Sequence, residues 1–218
     1  MISAPLKALL AAIRKCEAPR GYGQIYGGAK GVSKSVDVSK LTLDEVLALQ
    51  KRMLAAGSAS TACGGYQFIR KTLMATIIEM GLGGNDVWTP ALQDSMALHL
   101  IEKRGLSKFQ AGKITREAFA NNLAMEWASL PVVTPIKGQK RMVYPGETYY
   151  AGDDLNRALH RPVDILALLD AIGKATGGVS PAPAPTPPEP SPIPVPVKPR
   201  GLLMALVELI ATFFKRKT

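Results

Sequence analysis

The chain has 218 residues, of which 47% are hydrophobic, 20% are charged and only 6% are aromatic, and its formal net charge is +10. This composition excludes a disordered chain and is sufficient for a globular domain with a hydrophobic core. The basic surplus suits a polyanionic partner such as cell wall, nucleic acid or an anionic membrane, and charge alone does not choose among them.

The few cysteines and histidines limit which disulfides and metal sites the chain can form. Cys16 and Cys63 are too few for a disulfide framework, and His99 and His160 show no metal-ligand spacing with them. We therefore expect reduced, packed cysteines, consistent with synthesis in a cytosol, and neither a metal nor a cofactor. Residues 1–16 are not expected to be a signal peptide, because basic residues interrupt the apolar run and no cleavage site follows.

Apolar residues at helical spacing, together with local start and stop signals, predict six helices. These cover residues 6–17, 42–54, 68–80, 89–104, 115–130 and 162–172. Thr42 followed by Glu45 is a capping-box pattern, and Thr89 before a proline is a helix start. The span 132–150 is rich in tyrosine, glycine and proline and is predicted as loop or short strand. The domain is therefore expected to be α+β and mainly α.

A change in composition divides the chain into three parts. Residues 1–172 are the predicted folded domain, residues 173–200 are a linker, and residues 201–218 are a short hydrophobic tail. Ten of the residues from 181 to 199 are prolines, which predict an extended, polyproline-like spacer.

The tail is apolar over residues 201–214 and ends in a basic Lys-Arg-Lys sequence. A helix of that length spans about 21 Å, which is less than the ~30 Å of a bilayer core. We therefore expect residues 201–218 to form a helix that lies on or inserts into a bacterial membrane. A marginal transmembrane anchor and a helix docked on the domain are the alternatives.

Glu17 is the candidate catalytic residue. It follows Ile13 by four positions, so it continues the apolar face of the first helix, which Pro19 brings to an end. Partial burial and the negative end of the helix dipole both disfavour the carboxylate and predict a raised pKa. A carboxyl group that stays protonated near neutral pH suits a general acid for a glycosidic oxygen. The alternative is an ordinary solvated charge at a helix end.

Two segments after Glu17 combine glycines with aromatic and amide side chains. Residues 21–28 read GYGQIYGG, and residues 58–68 read SASTACGGYQF. Aromatic rings suit the faces of sugars, and amides suit their hydroxyl groups. Each segment alone is a common turn, but together they predict the walls of a saccharide-binding cleft, with Tyr22 and Ser60 among the substrate contacts.

Five segments of the chain occur in the order found in one family of phage enzymes. They are CEAP with GYGQIYGG, then STACGGYQFI, QDSMAL, EKRG and EWASLP, over about residues 8–150. On these segments the chain resembles the phage lambda-type endolysins. The resemblance implies a lysozyme-like domain that cleaves the β-1,4 bond between N-acetylmuramic acid and N-acetylglucosamine in peptidoglycan.

The resemblance also assigns individual residues. The family's catalytic glutamate falls on Glu17, and its Tyr-Gln pair falls on Tyr66 and Gln67, which should contact the glycan. The lambda-type pattern has an arginine directly before that pair, where this chain has Gly65, so the charge of the cleft is expected to differ there. Trp127 is expected to lie in the core.

The lambda-type enzymes are lytic transglycosylases, so the resemblance implies that one glutamate acts as acid and then as base while the muramic 6-hydroxyl closes a 1,6-anhydro ring. The alternative is a true lysozyme, which pairs the acid with a second carboxylate. The spacing of T4-type lysozymes is absent, because Tyr26 and Val32 occupy the two positions concerned. Asp37 and Asp44 remain as candidates by sequence proximity.

Peptidoglycan is therefore the expected partner of a monomeric enzyme. We expect the enzyme to stay in the host cytoplasm until a holin opens the inner membrane, and then to act in the periplasm. A virion-carried enzyme for genome delivery and a non-catalytic wall-binding protein are the alternatives. Nucleic acid is not an expected partner, since the basic cluster at residues 137–141 is short and lacks interleaved aromatic residues.

Overall fold

The computed structural model describes residues 2–175 of the chain. The predictions for the proline-rich linker beyond that point and for the tail at residues 201–218 lie outside the described residues. Within them the fold contains seven α-helices and two short antiparallel strands, in which Ile136 lies opposite Val143. The elements are α1 (Ala4–Glu17), α2 (Leu43–Ala55), α3 (Arg70–Met80), α4 (Pro90–Lys103), α5 (Leu106–Gln110), α6 (Arg116–Ala124), β1 (Ile136–Lys137), β2 (Met142–Val143) and α7 (Pro162–Ala175).

This architecture confirms the prediction of a mainly α, α+β domain. The local start signals are confirmed as well: Thr42 caps α2 in a full capping box with Glu45, and the Thr89 hydroxyl accepts a hydrogen bond at the start of α4. Gly81 ends α3 in the left-handed conformation, at φ +64°. No helix within residues 2–175 is both long and apolar enough to cross a bilayer.

The predicted helix over residues 115–130 is wrong at its end, because α6 stops at Ala124. In a continuing helix the N–H of Ser129 would donate to the carbonyl of Met125. Instead that N–H donates to Glu17, and the Met125 carbonyl accepts from the hydroxyl of Tyr150 at 2.6 Å. Partners elsewhere in the chain therefore convert residues 125–130 into a turn.

The short helix α5 was not predicted. It follows Gly105, whose φ of +109° breaks the path of α4, and it buries Leu106 and Phe109. The ring of Phe109 stacks on that of Phe119 at a centroid distance of 5.0 Å. Five residues are too few to give a clear helical period, so the sequence pattern alone does not distinguish α5 from a turn.

A single hydrophobic core runs through the described helices and carries α1 into the interior. Helix α1 packs on α7 and α4, and it buries Leu9, Leu10 and Ile13. Trp88, fully buried, packs edge-on against Phe68 at 5.7 Å. Because α1 is held by this apolar face, its last residue is drawn partly out of solvent.

Candidate active site

Glu17 is the last residue of α1, and its side chain is half-buried. Its Oε1 atom accepts a hydrogen bond of 3.2 Å from the backbone N–H of Ser129. Burial raises the pKa of Glu17 above its ordinary value of 4.5, and the contacts with Ser129 oppose that rise. The predicted direction of the pKa shift is therefore confirmed, and burial is its largest cause.

Ser129 approaches the Glu17 carboxyl with two groups. Its hydroxyl is buried and close enough to lower the pKa of Glu17, although the geometry is not that of a hydrogen bond. Both groups are neutral, so they stabilise the ionised carboxyl less than a cation would. Burial is the larger effect, so the net result is a raised pKa for Glu17, the direction that a general acid needs.

The Glu17 carboxyl lies in a cleft of about 640 Å³, a size within the range of small-ligand sites. Its lining comes from the end of α1, from Tyr26, from residues 59–69, from α3, from the end of α4, from the turn after α6 and from residues 150–156. Ser60, Tyr66 and Gln67 line this cleft together with Glu17. Four of the five side chains selected from the sequence are therefore in one place.

Tyr66 and Gln67 lie in a tight hairpin turn that is closed by paired backbone hydrogen bonds between Cys63 and Phe68, of 3.1 and 2.8 Å. Gln67 has a φ of +47°, a left-handed conformation that a non-glycine residue adopts at a cost. Its Nε2 atom donates to the carbonyl of Gly64 at 2.8 Å. A strained residue on the wall of a cleft is typical of a functional site.

The structure does not bring Tyr22 to this cleft. Tyr22 lines a separate depression together with Asp37. Its hydroxyl donates to Asp94 at 2.8 Å, and the Arg14 guanidinium lies 4.6 Å above its ring. The ring of Tyr22 packs edge-on against that of Tyr66, at 6.3 Å, so Tyr22 supports a residue of the cleft wall, and its contact with substrate stays a prediction.

Gln93 and Asp94 on α4 hold the hairpin turn, and the sequence did not reveal this role. The buried Gln93 amide accepts from the N–H of Gly65 at 2.7 Å and donates to the carbonyl of Tyr22 at 3.2 Å. Asp94 Oδ1 accepts from the hydroxyls of Tyr22 and Tyr66, at 2.8 and 2.6 Å. One turn of α4 therefore fixes both glycine-rich segments. The sequence signal that could have indicated this role is Gln93 itself, a polar residue on the buried face of a helix.

Position 65, where this chain departs from the lambda-type pattern, is closely surrounded by side chains. A Cβ atom at Gly65 would lie 2.8 Å from Cδ1 of Tyr22 and 3.0 Å from Cδ of Arg14. The side chains of Tyr22 and Arg14 thus occupy the space that a larger residue at position 65 needs. In this chain Arg14 supplies the guanidinium next to the turn, from α1.

Neither predicted second carboxylate lines the cleft. Asp37 lies in the separate depression, where a hydrogen bond from the Ser39 hydroxyl is the largest cause lowering its pKa. Asp44 is exposed in the first turn of α2. Glu126, which the sequence did not single out, does line the cleft, and the Arg104 guanidinium holds it with contacts of 2.8 and 2.9 Å.

The thiols and histidines offer no rival chemistry in residues 2–175. Burial raises the pKa of the Cys63 thiol to about 12, and it also raises the pKa of Cys16, so neither is a thiolate near neutral pH. His99 pairs with Glu79, and His160 contacts a backbone carbonyl. The same residues contain no group of three or more histidine, cysteine or acidic side chains placed to hold a metal ion.

Comparisons with known proteins place the chain in a family. A model of the endolysin family matches residues 7–149, more than half of the chain, and the chain therefore belongs to the endolysin family. It is thus a peptidoglycan-degrading enzyme of phage type. The solved structure of bacteriophage lambda lysozyme complexed with a chitohexasaccharide is similar, with 21% identity and a TM-score of 0.44, over 82% of this chain and 97% of that one. Comparison with curated proteins gave no match.

Proposed function

We propose that this endolysin is a lytic transglycosylase that cleaves the β-1,4 bond between N-acetylmuramic acid and N-acetylglucosamine, with Glu17 as its general acid and base. The observation that carries the proposal is the half-buried Glu17 carboxyl in the cleft, with its raised pKa. A raised pKa keeps this carboxyl protonated to higher pH than an exposed glutamate, which is what a general acid requires.

The first step breaks the glycosidic bond. Protonated Glu17 gives its proton to the bridging oxygen, the bond from C1 of the muramic residue to that oxygen breaks, and the N-acetylglucosamine side leaves as an alcohol. Positive charge develops on the muramic ring as the bond breaks. The Glu17 carboxylate that results is stabilised by the Ser129 N–H, which already points at Oε1.

The second step uses the substrate's own hydroxyl. Glu17, now a carboxylate, accepts the proton of the muramic 6-hydroxyl while that oxygen bonds to C1 and forms the 1,6-anhydro ring. Glu17 is then protonated again, and no water is consumed. Because the same carboxyl serves both steps, the mechanism needs no second carboxylate in the cleft.

The surroundings of the other acidic groups support one catalytic carboxyl. Asp37 and Asp44 do not line the cleft, and Glu126 is held by Arg104. Hydrolysis by a true lysozyme is the second candidate, and Glu126 replaces Asp37 as the carboxylate to test for it.

The test is mass spectrometry of the fragments that the full-length protein releases from purified Gram-negative peptidoglycan. Fragments with 1,6-anhydro-muramic ends support transglycosylation, whereas reducing ends, heavier by one water, identify hydrolysis. Absence of any released fragment would favour a non-catalytic wall-binding protein.

Two variants separate the carboxyl groups. The Glu17→Gln protein keeps the shape of the side chain but has no proton to exchange, and it should lose activity by at least a hundredfold. The Glu126→Gln protein is the matched control and should retain most of its activity. If Glu17→Gln cleared cell walls at the wild-type rate, the assignment of Glu17 would be wrong.

The biological setting belongs to the same proposal. A lytic enzyme of this kind would stay in the host cytoplasm until a holin opens the inner membrane, and the tail at residues 201–218 would bind a bacterial membrane. Liposome binding that disappears on deletion of the tail would support that part of the proposal. Detection of the protein in purified virions would instead favour a role in genome delivery.

A further inference from the structure

One wall of the cleft is basic. It is formed by α3 and by the end of α4, and its cations are Lys71, Lys103 and Arg104. Between them lie small or neutral side chains of α3, including Thr72 and Ala75. A wall of this kind presents positive charge without aromatic surface, so it suits an anionic group better than the face of a sugar ring.

Two of the three cations already have partners. Lys103 contacts both oxygens of Glu79, at 2.6 and 2.7 Å, and Arg104 is paired with Glu126. Lys71 is exposed and has no ion-pair partner within residues 2–175. The uncompensated positive charge of the wall therefore belongs to Lys71.

We propose that Lys71 binds carboxylate groups of the stem peptides of peptidoglycan, and that this endolysin therefore discriminates between strands whose stems are ionised and strands whose stems are neutral. The inference rests on the proposed function, because it takes the cleft as the glycan site. The N-acetylated sugar units of the glycan carry no charge of their own, whereas each stem peptide carries carboxylates. Stems project sideways from the muramic residues, so a strand lying past Glu17 presents them to the walls of the cleft.

Lys71 and Glu17 perform separable tasks in this arrangement. Burial raises the pKa of Glu17 and the contacts with Ser129 oppose that rise, and Lys71 is not among the groups that shift it. A change at Lys71 should therefore alter strand affinity without moving the pH dependence of cleavage. A merely structural defect would act on all strands alike.

The experiment measures strand binding by the full-length protein in a Glu17→Gln background, so that the strands stay intact. The probes are fluorescently labelled, soluble glycan strands whose stem amino groups have been acetylated. Half of the preparation is then amidated with carbodiimide and methylamine, which neutralises the stem carboxylates without changing the glycan. The variants are Lys71→Ala, Lys71→Glu and Lys71→Arg, with Lys51→Glu as control, since Lys51 is exposed on α2 and does not line the cleft.

On ionised strands we expect Kd to rise about threefold in Lys71→Ala, which removes one exposed ion pair. We expect a rise of about tenfold in Lys71→Glu, which replaces that attraction by repulsion between like charges. On amidated strands both variants should stay within about twofold of the parent, and Lys71→Arg should bind ionised strands normally. Equal losses on both strands, equal losses in Lys51→Glu, or no loss at all would overturn the inference.

Cleavage by the protein with Glu17 intact separates the two proposals. If the wild type releases no fragments but the binding pattern is as expected, the proposed reaction fails and the role of Lys71 stands. If the wild type cleaves and Lys71→Glu binds both strands alike, the role of Lys71 fails alone. The pH profile of cleavage by Lys71→Glu should match that of the wild type.

Discussion

At the scale of single residues, the chemistry of Glu17 depends on two opposing influences on its pKa. Burial favours the neutral acid, and Ser129 favours the carboxylate. The position of Glu17 and its raised pKa follow from the spacing to Ile13 and from Pro19, which are local. The contact with Ser129 does not follow, because the two residues are 112 positions apart and nothing in either segment signals the other.

Replacing the Ser129 hydroxyl should move the alkaline limit of the enzyme's activity. Ser129→Ala removes a group that lowers the pKa of Glu17 and keeps the backbone N–H, so that pKa should rise further. Because Glu17 must be protonated to act as acid, the alkaline limb of the pH–rate profile should shift to higher pH. Ser95→Ala, on the exposed side of α4, is the control. A shift to lower pH would contradict this account.

The left-handed conformation of Gln67 makes a second prediction at this scale. Gln67→Ala and Gln67→Gly both lose the hydrogen bond to Gly64, but only glycine relieves the strain at φ +47°. Gln67→Gly should therefore be more stable than Gln67→Ala by about 1 kcal/mol in urea unfolding. Both should raise KM, since both lose the amide in the cleft. Equal stability of the two variants would show that the turn is not strained.

At the scale of elements, helix starts were predictable and helix ends were only partly so. The caps at Thr42 and Thr89 act within one turn, so the sequence contains all that is needed. The end of α6 is set by Tyr150 and Glu17, which take the hydrogen bonds that a longer helix would use. Such competition is visible only after the chain has folded.

The turn of α4 that carries Gln93 and Asp94 is predicted to hold the cleft wall in place. Asp94→Ala would leave the hydroxyls of Tyr22 and Tyr66 without their acceptor, and the Tyr66 hydroxyl is poorly placed to find water. We expect a loss of about 2–4 kcal/mol in the free energy of unfolding, together with a higher KM.

Asp94→Asn is the matched variant, because its amide oxygen still accepts hydrogen bonds. It should recover more than half of the lost stability and restore KM, as measured by urea unfolding and by kinetics on soluble strands. If Asp94→Ala unfolded at the wild-type urea concentration, Asp94 would not be holding the turn.

At the scale of the whole molecule, the cleft combines segments that are far apart in sequence. Glu17, the hairpin turn at residues 63–68, the wall of α3 and α4 and the turn at residues 125–130 meet only through the packing of the core. The sequence predicted the first two as parts of a site, because their residue types suit sugars. From the first glycine-rich segment the fold brings Tyr26 to the cleft, whereas Tyr22 lines a separate depression, and the residue types alone do not distinguish the two. Lys71 and Glu126 carry no pattern of their own, so only the fold places them in the cleft.

The half-buried Glu17 should also lower the free energy of unfolding of the whole domain at higher pH. The pKa of Glu17 is raised in the folded state, so the folded protein binds more protons than the unfolded one above the ordinary pKa of 4.5. Its stability should therefore fall as the pH rises from about 4.5 to the folded pKa, by up to about 1.4 kcal/mol per pH unit. Below pH 4.5 the carboxyl is protonated in both states and this loss is absent.

Glu17→Gln removes the titration and keeps the shape, so it should unfold at a higher urea concentration than the wild type at pH 8 and at about the same one at pH 4. Glu102→Gln, at an exposed position on α4, should show no such pH-dependent gain. The comparison tests whether the domain gives up stability in order to hold its catalytic acid in the cleft. A wild-type protein as stable as Glu17→Gln at pH 8 would mean that the buried carboxylate is stabilised by contacts beyond those with Ser129.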